Sequence, residues 1–261
     1  MPELPLGDVT LHYREDGDAA GRPVVFANSL GTDLHLWDAI MPHLPGGLRL
    51  VRYDKRGHGQ SSVPPAPYAM DALVRDAEAL IEHLGLSDIV FVGLSIGGMI
   101  GQGLAARRPD RLRALVLSNT AARIGTAEMW QARIEAVRRG GIEAIADAVM
   151  ARWFSRAFRA SPAIAPWRRM LTSTPVEGYV GCSAAIAGSD FRATTRALRL
   201  PVLAIAGDED GATPPDLVRE TAALVAGAQF HLISGAGHLP CVERPRDYAA
   251  TLTRFLGALD G

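Results

Sequence analysis

Cysteine is scarce in this chain. Cys182 and Cys241 are the two among 261 residues, too few for a disulfide framework and without metal-ligand spacing. Both are expected as reduced thiols. Long apolar runs are missing as well, and none approaches the ~20 residues of a membrane span. The opening Met1-Pro2-Glu3-Leu4-Pro5-Leu6-Gly7-Asp8 has neither the basic end nor the apolar core of a secretory signal. An excess of either charge is absent too. The 27 Lys and Arg residues face 28 Asp and Glu, a formal net charge of −1, which gives no general attraction to nucleic acid or to a membrane. These shortages point to a cytoplasmic protein whose partner is a small molecule, and they leave its oligomeric state open.

A hydrophobic content of 48% is present instead, in a chain long enough to bury about three quarters of its unfolded-state surface in one α/β domain with an insertion. Short apolar runs lie near 11–14, 24–27, 50–53, 89–94, 114–118, 202–206 and 229–233 and read as strands. Helical patterns alternate with them. Leu73, Ala77, Leu80, Ile81 and Leu84 share a face of a segment closed by Gly85. Tyr248, Leu252, Phe255, Leu256 and Leu259 recur at helical spacing after Pro245. The alternation predicts an α/β fold, a mostly parallel sheet with helices on both faces.

Gly93-Leu94-Ser95-Ile96-Gly97 stands between the apolar run Ile89-Val90-Phe91-Val92 and a helical stretch from Gly98 to Ala106. A serine at a sharp strand-to-helix turn is a nucleophile elbow. Its flanking glycines permit the tight turn, and the Ile96 amide at the helix start can donate to a developing oxyanion. A triad built on such an elbow runs in the order Ser, acid, His. The run Pro201 to Gly207 ends in Asp208-Glu209-Asp210, and Gln229-Phe230-His231-Leu232-Ile233 ends in Ser234-Gly235-Ala236-Gly237-His238. Both loops follow strand C-termini, on the sheet edge that carries Ser95, where open α/β sheets place ligands. Asp210, three residues past Gly207, is the acid of choice, with Asp208 second. His238 is the histidine that lies last in order, and His58, in the glycine-rich Asp54-Lys55-Arg56-Gly57-His58-Gly59, reads as structural.

About 80 residues separate Asn119 from Pro201, far more than a crossover needs. Trp130, Ile134 and Val137, then Ile142, Ile145, Val149 and Trp153, keep helical spacing on either side of Gly140-Gly141. Residues 120–200 are therefore expected as a helical lid over the triad edge of a core formed by 1–119 and 201–261. Within 120–196, 11 arginines meet 6 carboxylates, leaving +5. An inward arginine would suit a small anion, since arginine holds a carboxylate through two parallel hydrogen bonds.

Several segments carry a closer likeness: Ser29-Leu30-Gly31-Thr32 with Trp37, Asp54 to Gly59, Asn119 to Thr126, Arg152-Trp153-Phe154, Glu177-Gly178-Tyr179 and Thr213-Pro214-Pro215. On these the chain resembles an α/β-hydrolase and, more narrowly, the 3-oxoadipate enol-lactonases of the β-ketoadipate pathway of aromatic catabolism. The resemblance implies a second oxyanion donor after the 24–27 strand, at the Leu30 amide, with Asn28 and Ser29 where His-Gly is common. It implies that His238, oriented by Asp210, activates Ser95 toward a lactone carbonyl, with no metal or organic cofactor. The acetate arm of such a lactone would meet Arg133, with Trp153 and Trp130 as apolar walls. A carboxylesterase or a carbon–carbon bond hydrolase of ring-cleavage products would use the same triad, and a non-catalytic ligand-binding pseudo-hydrolase would keep it idle. Dehalogenases and epoxide hydrolases of this fold need an acidic nucleophile, and Ser95 argues against them.

Overall fold

The computed structural model describes residues 2–259. Eight strands form one sheet in the order β1-β2-β4-β3-β5-β6-β7-β8. They are β1 (Glu3–Pro5), β2 (Thr10–Gly17), β3 (Arg22–Ala27), β4 (Leu48–Tyr53), β5 (Ile89–Leu94), β6 (Leu112–Ser118), β7 (Val202–Gly207) and β8 (Gln229–Ile233). β1 and β2 pair antiparallel with their neighbours, and β4 onward is parallel. The alternation of apolar runs and helices had predicted this arrangement. The three-residue β1 went unseen because it is too short to show a period.

The central strands β5 and β7 are buried along their whole length, as strands covered on both faces must be. Helices α1 (Met70–His83), α2 (Ile96–Arg107), α9 (Pro215–Ala222) and α11 (Pro245–Ala258) supply the cover. α1 turns Leu73, Val74, Ala77, Leu80 and Ile81 inward, each large side chain contributing about 2 kcal/mol when fully buried. α2 is buried nearly all round. Its one large buried polar side chain, Gln102, is satisfied there, donating to Gly98 O and Ala121 O and accepting from Thr195 Oγ1 at 2.6 Å.

Between β6 and β7 the chain leaves the sheet and forms α3 (Ala127–Gly140), α4 (Glu143–Trp153), α5 (Arg156–Arg159), α6 (Ala165–Thr172), α7 (Val176–Ala187) and α8 (Arg192–Arg196). Trp130, Ile134, Val137, Val149 and Trp153 are all buried, which is the physical content of their helical spacing. α10 (Pro240–Glu243) follows the loop after β8. No helix among the described residues is long and apolar enough to cross a membrane.

The elbow after β5 depends on two glycines. A Cβ on Gly97 would lie 2.1 Å from the Ala27 carbonyl oxygen, and one on Gly93 would lie 2.2 Å from the Gly97 carbonyl oxygen. Both obstacles are backbone, so neither can swing aside. Gly97→Ala must push α2 away from β3, and an overpacking cost of about 3 kcal/mol is expected. In a chain of this size that lowers Tm by ~6–12 °C, measurable by thermal circular dichroism. An unchanged Tm would mean that the elbow is not held by this contact.

Candidate active site

Five loops converge at the C-terminal edge of the parallel strands. Ser95 follows β5 with φ of 58°, a left-handed conformation unusual for serine. The turn is held from behind: Ser95 N donates to Ser118 O at 3.0 Å, and Thr120 Oγ1 donates to Ser95 O at 2.6 Å. Ser95 remains 8% exposed, while His238 is 1% exposed.

Asp210 follows β7 and receives five hydrogen bonds. Ala212 N and Thr213 N donate to Oδ1 at 2.7 and 3.0 Å. Asn119 Nδ2, Thr213 Oγ1 and His238 Nδ1 reach Oδ2 at 2.9, 2.8 and 2.8 Å. Burial works to raise this carboxyl, but His238, Asn119 and Thr213 outweigh it and hold it below the ordinary carboxylate range. The two neighbouring acids face elsewhere. Asp208 Oδ1 accepts from Gly235 N at 2.7 Å and Ala236 N at 3.2 Å, and Glu209 accepts from Arg156 N. Of the three carboxylates weighed in the sequence, the structure brings Asp210 against His238.

The His238 loop is tied to the insertion. His238 N donates to Trp153 O at 2.7 Å, and Glu243 accepts from Gly237 N at 2.6 Å and from Ser155 Oγ at 2.5 Å. Trp153 therefore stands beside His238 through its backbone. Its ring meets the loop after β3, coming within 3.4 Å of the place a Gly31 Cβ would occupy.

Leu30 lies in that loop, and among the described residues no oxygen accepts from its amide. Ile96 is the first residue of α2, where helix geometry leaves the amide without an intrahelical acceptor. The adjacent Gly31 amide is occupied, donating to His58 Nε2 at 3.0 Å. Burial and the Lys55 ammonium hold His58 well below the usual imidazole range. It stays neutral as an acceptor, so its contribution is to the loop's shape.

In the insertion, the Arg133 guanidinium lies 5.0 Å over the Trp130 ring and beside the buried Tyr179 hydroxyl. Trp130 faces the loop before α3, its Nε1 donating to Ile124 O at 2.6 Å, so its ring carries Arg133. Half-buried Arg152 donates from Nε to Gly211 O at 3.1 Å. Burial and then the nearby Arg133 draw its guanidinium below the usual range, against the pull of Asp210 and Tyr179. Neither arginine pairs with a carboxylate among the described residues. The sequence reading missed Arg152, Asn119, Thr213 and Tyr179 as contributors, although several sat in motifs already singled out. Among the described residues no cluster of three or more His, Cys, Asp or Glu could hold a metal.

The alpha/beta hydrolase fold family matches residues 22–245. The chain belongs to that family. The hydrolase is 37% identical to 3-oxoadipate enol-lactonase 2 of Acinetobacter baylyi, across 97% of this chain and 96% of that protein. The crystal structure of the enol-lactonase from Burkholderia xenovorans superposes with a TM-score of 0.94 at 38% identity, covering 98% of this chain and 100% of that one. A thermophilic esterase from Thermogutta terrifontis, solved with malate bound, superposes at 0.90 and 32% identity over 96% and 94% of the two chains.

Proposed function

We propose that the hydrolase opens a small anionic enol-lactone, 3-oxoadipate enol-lactone, through an acyl-enzyme on Ser95. One observation carries the reading: beside the paired Asp210 and His238, the insertion places Arg152 within electrostatic reach of Asp210 and next to Arg133, and neither arginine has a carboxylate partner among the described residues. With Nδ1 donating to Asp210 at 2.8 Å, His238 Nε2 is the base that takes the Ser95 proton. Ser95 Oγ attacks the lactone carbonyl, and the resulting oxyanion is received by the Leu30 and Ile96 amides. Collapse breaks the ring C–O bond. The enol oxygen leaves with the proton from His238 and ketonises while still tethered to the acyl chain. Water, deprotonated by His238, then attacks the acyl carbon and releases the 3-oxo acid and Ser95.

In this reading residues 120–200 act as a lid, and Arg133 and Arg152 hold the substrate's free carboxylate. The enol-lactonase relatives and the malate-bound esterase support an acidic substrate. The test is to mix purified protein with freshly prepared 3-oxoadipate enol-lactone and follow ring opening against the spontaneous rate. Turnover confined to neutral aryl esters would replace the lactonase reading with a carboxylesterase.

Arg133→Ala is expected to raise KM for the lactone about tenfold, the loss of one charge-assisted hydrogen bond, and to leave KM for a neutral ester unchanged. Equal losses on both substrates would sink the carboxylate clamp.

A further inference from the structure

Of the 27 basic residues counted as Lys and Arg, 26 are arginine and one is lysine. That lysine, Lys55, is 2% exposed. Its Nζ donates to Ser29 O at 2.6 Å and to Thr32 O at 3.2 Å. The nearest carboxylates are engaged with other donors. Asp54 accepts from Leu34 N, His12 Nδ1 and Gln60 N, and Asp33 accepts from His35 N. The charge thus sits on backbone oxygens of the loop after β3. A chain that uses arginine at every other basic position has here a compact ammonium, the group that fits between two carbonyls where a planar guanidinium fork does not.

Ser29 O and Leu30 N–H are the two ends of one peptide unit. The unit is planar and trans, so they point in opposite directions. A cation on the oxygen end fixes the plane that presents the Leu30 amide, and it draws electron density toward oxygen, which strengthens the N–H as a donor. The next amide, Gly31, is already given to His58, while the Leu30 amide beside it has no acceptor among the described residues.

We propose that Lys55 is a positioning residue for the oxyanion, its ammonium orienting and polarising the Leu30 amide through the Ser29 carbonyl. The proposal rests on the serine-hydrolase reading given above.

The titratable groups facing Lys55 are Asp33, Asp54, His58 and, from α7, Cys182. Burial pulls the Lys55 amine down to about 8, against Cys182, Asp54 and Asp33, which favour its charge. The Cys182 thiol is itself pushed up to about 12 by burial, and His58 stays neutral. A fall in kcat as pH rises through about 8 is therefore expected. The same titration acts on stability with the opposite sign. The folded value lies below the ordinary 10.5, so the cost of burying the charge is full below pH 8 and fades between about 8 and 10.5. Lost activity in that window is thus separable from unfolding.

The experiment compares wild type, Lys55→Met and Lys55→Arg on 3-oxoadipate enol-lactone and p-nitrophenyl acetate, with Ser95→Ala as reference. Lys55→Met should fold, because Ser29 O keeps the Thr32 N and Thr32 Oγ1 donors at 3.3 and 2.9 Å. Its kcat should drop about tenfold, a weakened rather than deleted oxyanion donor, with KM within twofold and the alkaline limb gone. A trifluoromethyl ketone, which forms an oxyanion on Ser95, should bind more weakly by the same factor. Lys55→Arg, charged at every pH, should also lack the limb near 8. Because the chain has one lysine, lysine labelled with ¹⁵N at Nζ gives one side-chain ammonium signal, and its titration midpoint should coincide with the kcat limb. That comparison needs wild type alone and decides the matter even if the variants fail to fold. Wild-type kcat in folded Lys55→Met, or a kcat indifferent to the lysine titration, would overturn the proposal. If Ser95→Ala is inactive in the same assays, only the role of Lys55 falls. If Ser95→Ala keeps full turnover, the serine reading falls and takes this proposal with it.

Discussion

Replacing Ser95 with alanine is expected to lower kcat on the lactone by about 10⁶-fold, the scale seen when a serine nucleophile is removed from a triad. The substitution deletes one oxygen and leaves the elbow standing. The backbone bonds from Ser95 N to Ser118 O and from Thr120 Oγ1 to Ser95 O are untouched. Alanine tolerates φ of 58° about as poorly as serine does, so Tm should stay within about 2 °C. KM should change little, because the carboxylate contacts proposed for Arg133 and Arg152 lie in the insertion. His238→Ala should cost a similar factor, and the double variant should be no worse than either single one, since the residues act as a unit. Mass spectrometry of the protein quenched during turnover should find the acyl group on Ser95. A Ser95→Ala protein that keeps more than about one per cent of wild-type kcat would contradict the acyl-enzyme.

Asp210→Asn is expected to lower kcat by about 10⁴-fold. The carboxylate accepts five hydrogen bonds, and an asparagine brings an NH₂ into a ring of donors. The least costly relief is to flip the His238 tautomer, so that Nδ1 accepts and Nε2 carries the proton. The histidine Nε2 then has no lone pair with which to take the Ser95 proton in the proposed mechanism. Asp208→Asn is the control. Its Oδ1 accepts from two backbone amides, a task an amide oxygen also performs, so kcat should fall less than about threefold. Equal losses in the two variants would remove Asp210 from the orienting role. Asp210 also links stability to acid. Its folded carboxyl lies below the ordinary 3.8, so its stabilising contribution is complete above about pH 4 and is lost as pH falls toward the folded value. In Asp210→Asn that part of the acid dependence should vanish from urea titrations.

Much of this was legible along the chain. The strand positions, the elbow at Ser95 and the order of the polar loops are local patterns, set by apolar periodicity, β-branched content and glycine, and each spans fewer than about ten residues. Choosing Asp210 over Asp208 rested on its distance past Gly207. In the structure that distance is what carries the side chain beyond the sheet edge to His238, while Asp208 turns back to the 235–236 amides. The helical spacing of Trp130, Ile134 and Val137 likewise corresponds to a buried face.

Other features could not be read in advance, because they are contacts between residues far apart in the chain. Asn119 reaches Asp210 across 91 positions, and Lys55 reaches Ser29 across 26. No local period records either pairing. Trp130 is aromatic and apolar in sequence, yet its indole N–H finds Ile124 O, and its ring supports Arg133 instead of standing as a bare wall. Asp216 sits in the first turn of α9, with Pro214 at the cap position and no side-chain capping bond, because Pro214-Pro215 sets the helix entry. Local sterics and hydrophobic burial, legible along the chain, set where the central strands and longer helices form and in what order the chemical groups come. Packing sets which arginines stand beside Asp210, that the Leu30 amide has no acceptor among the described residues, and where the single lysine puts its charge. Those outcomes depend on distances between segments that are set when the sheet packs.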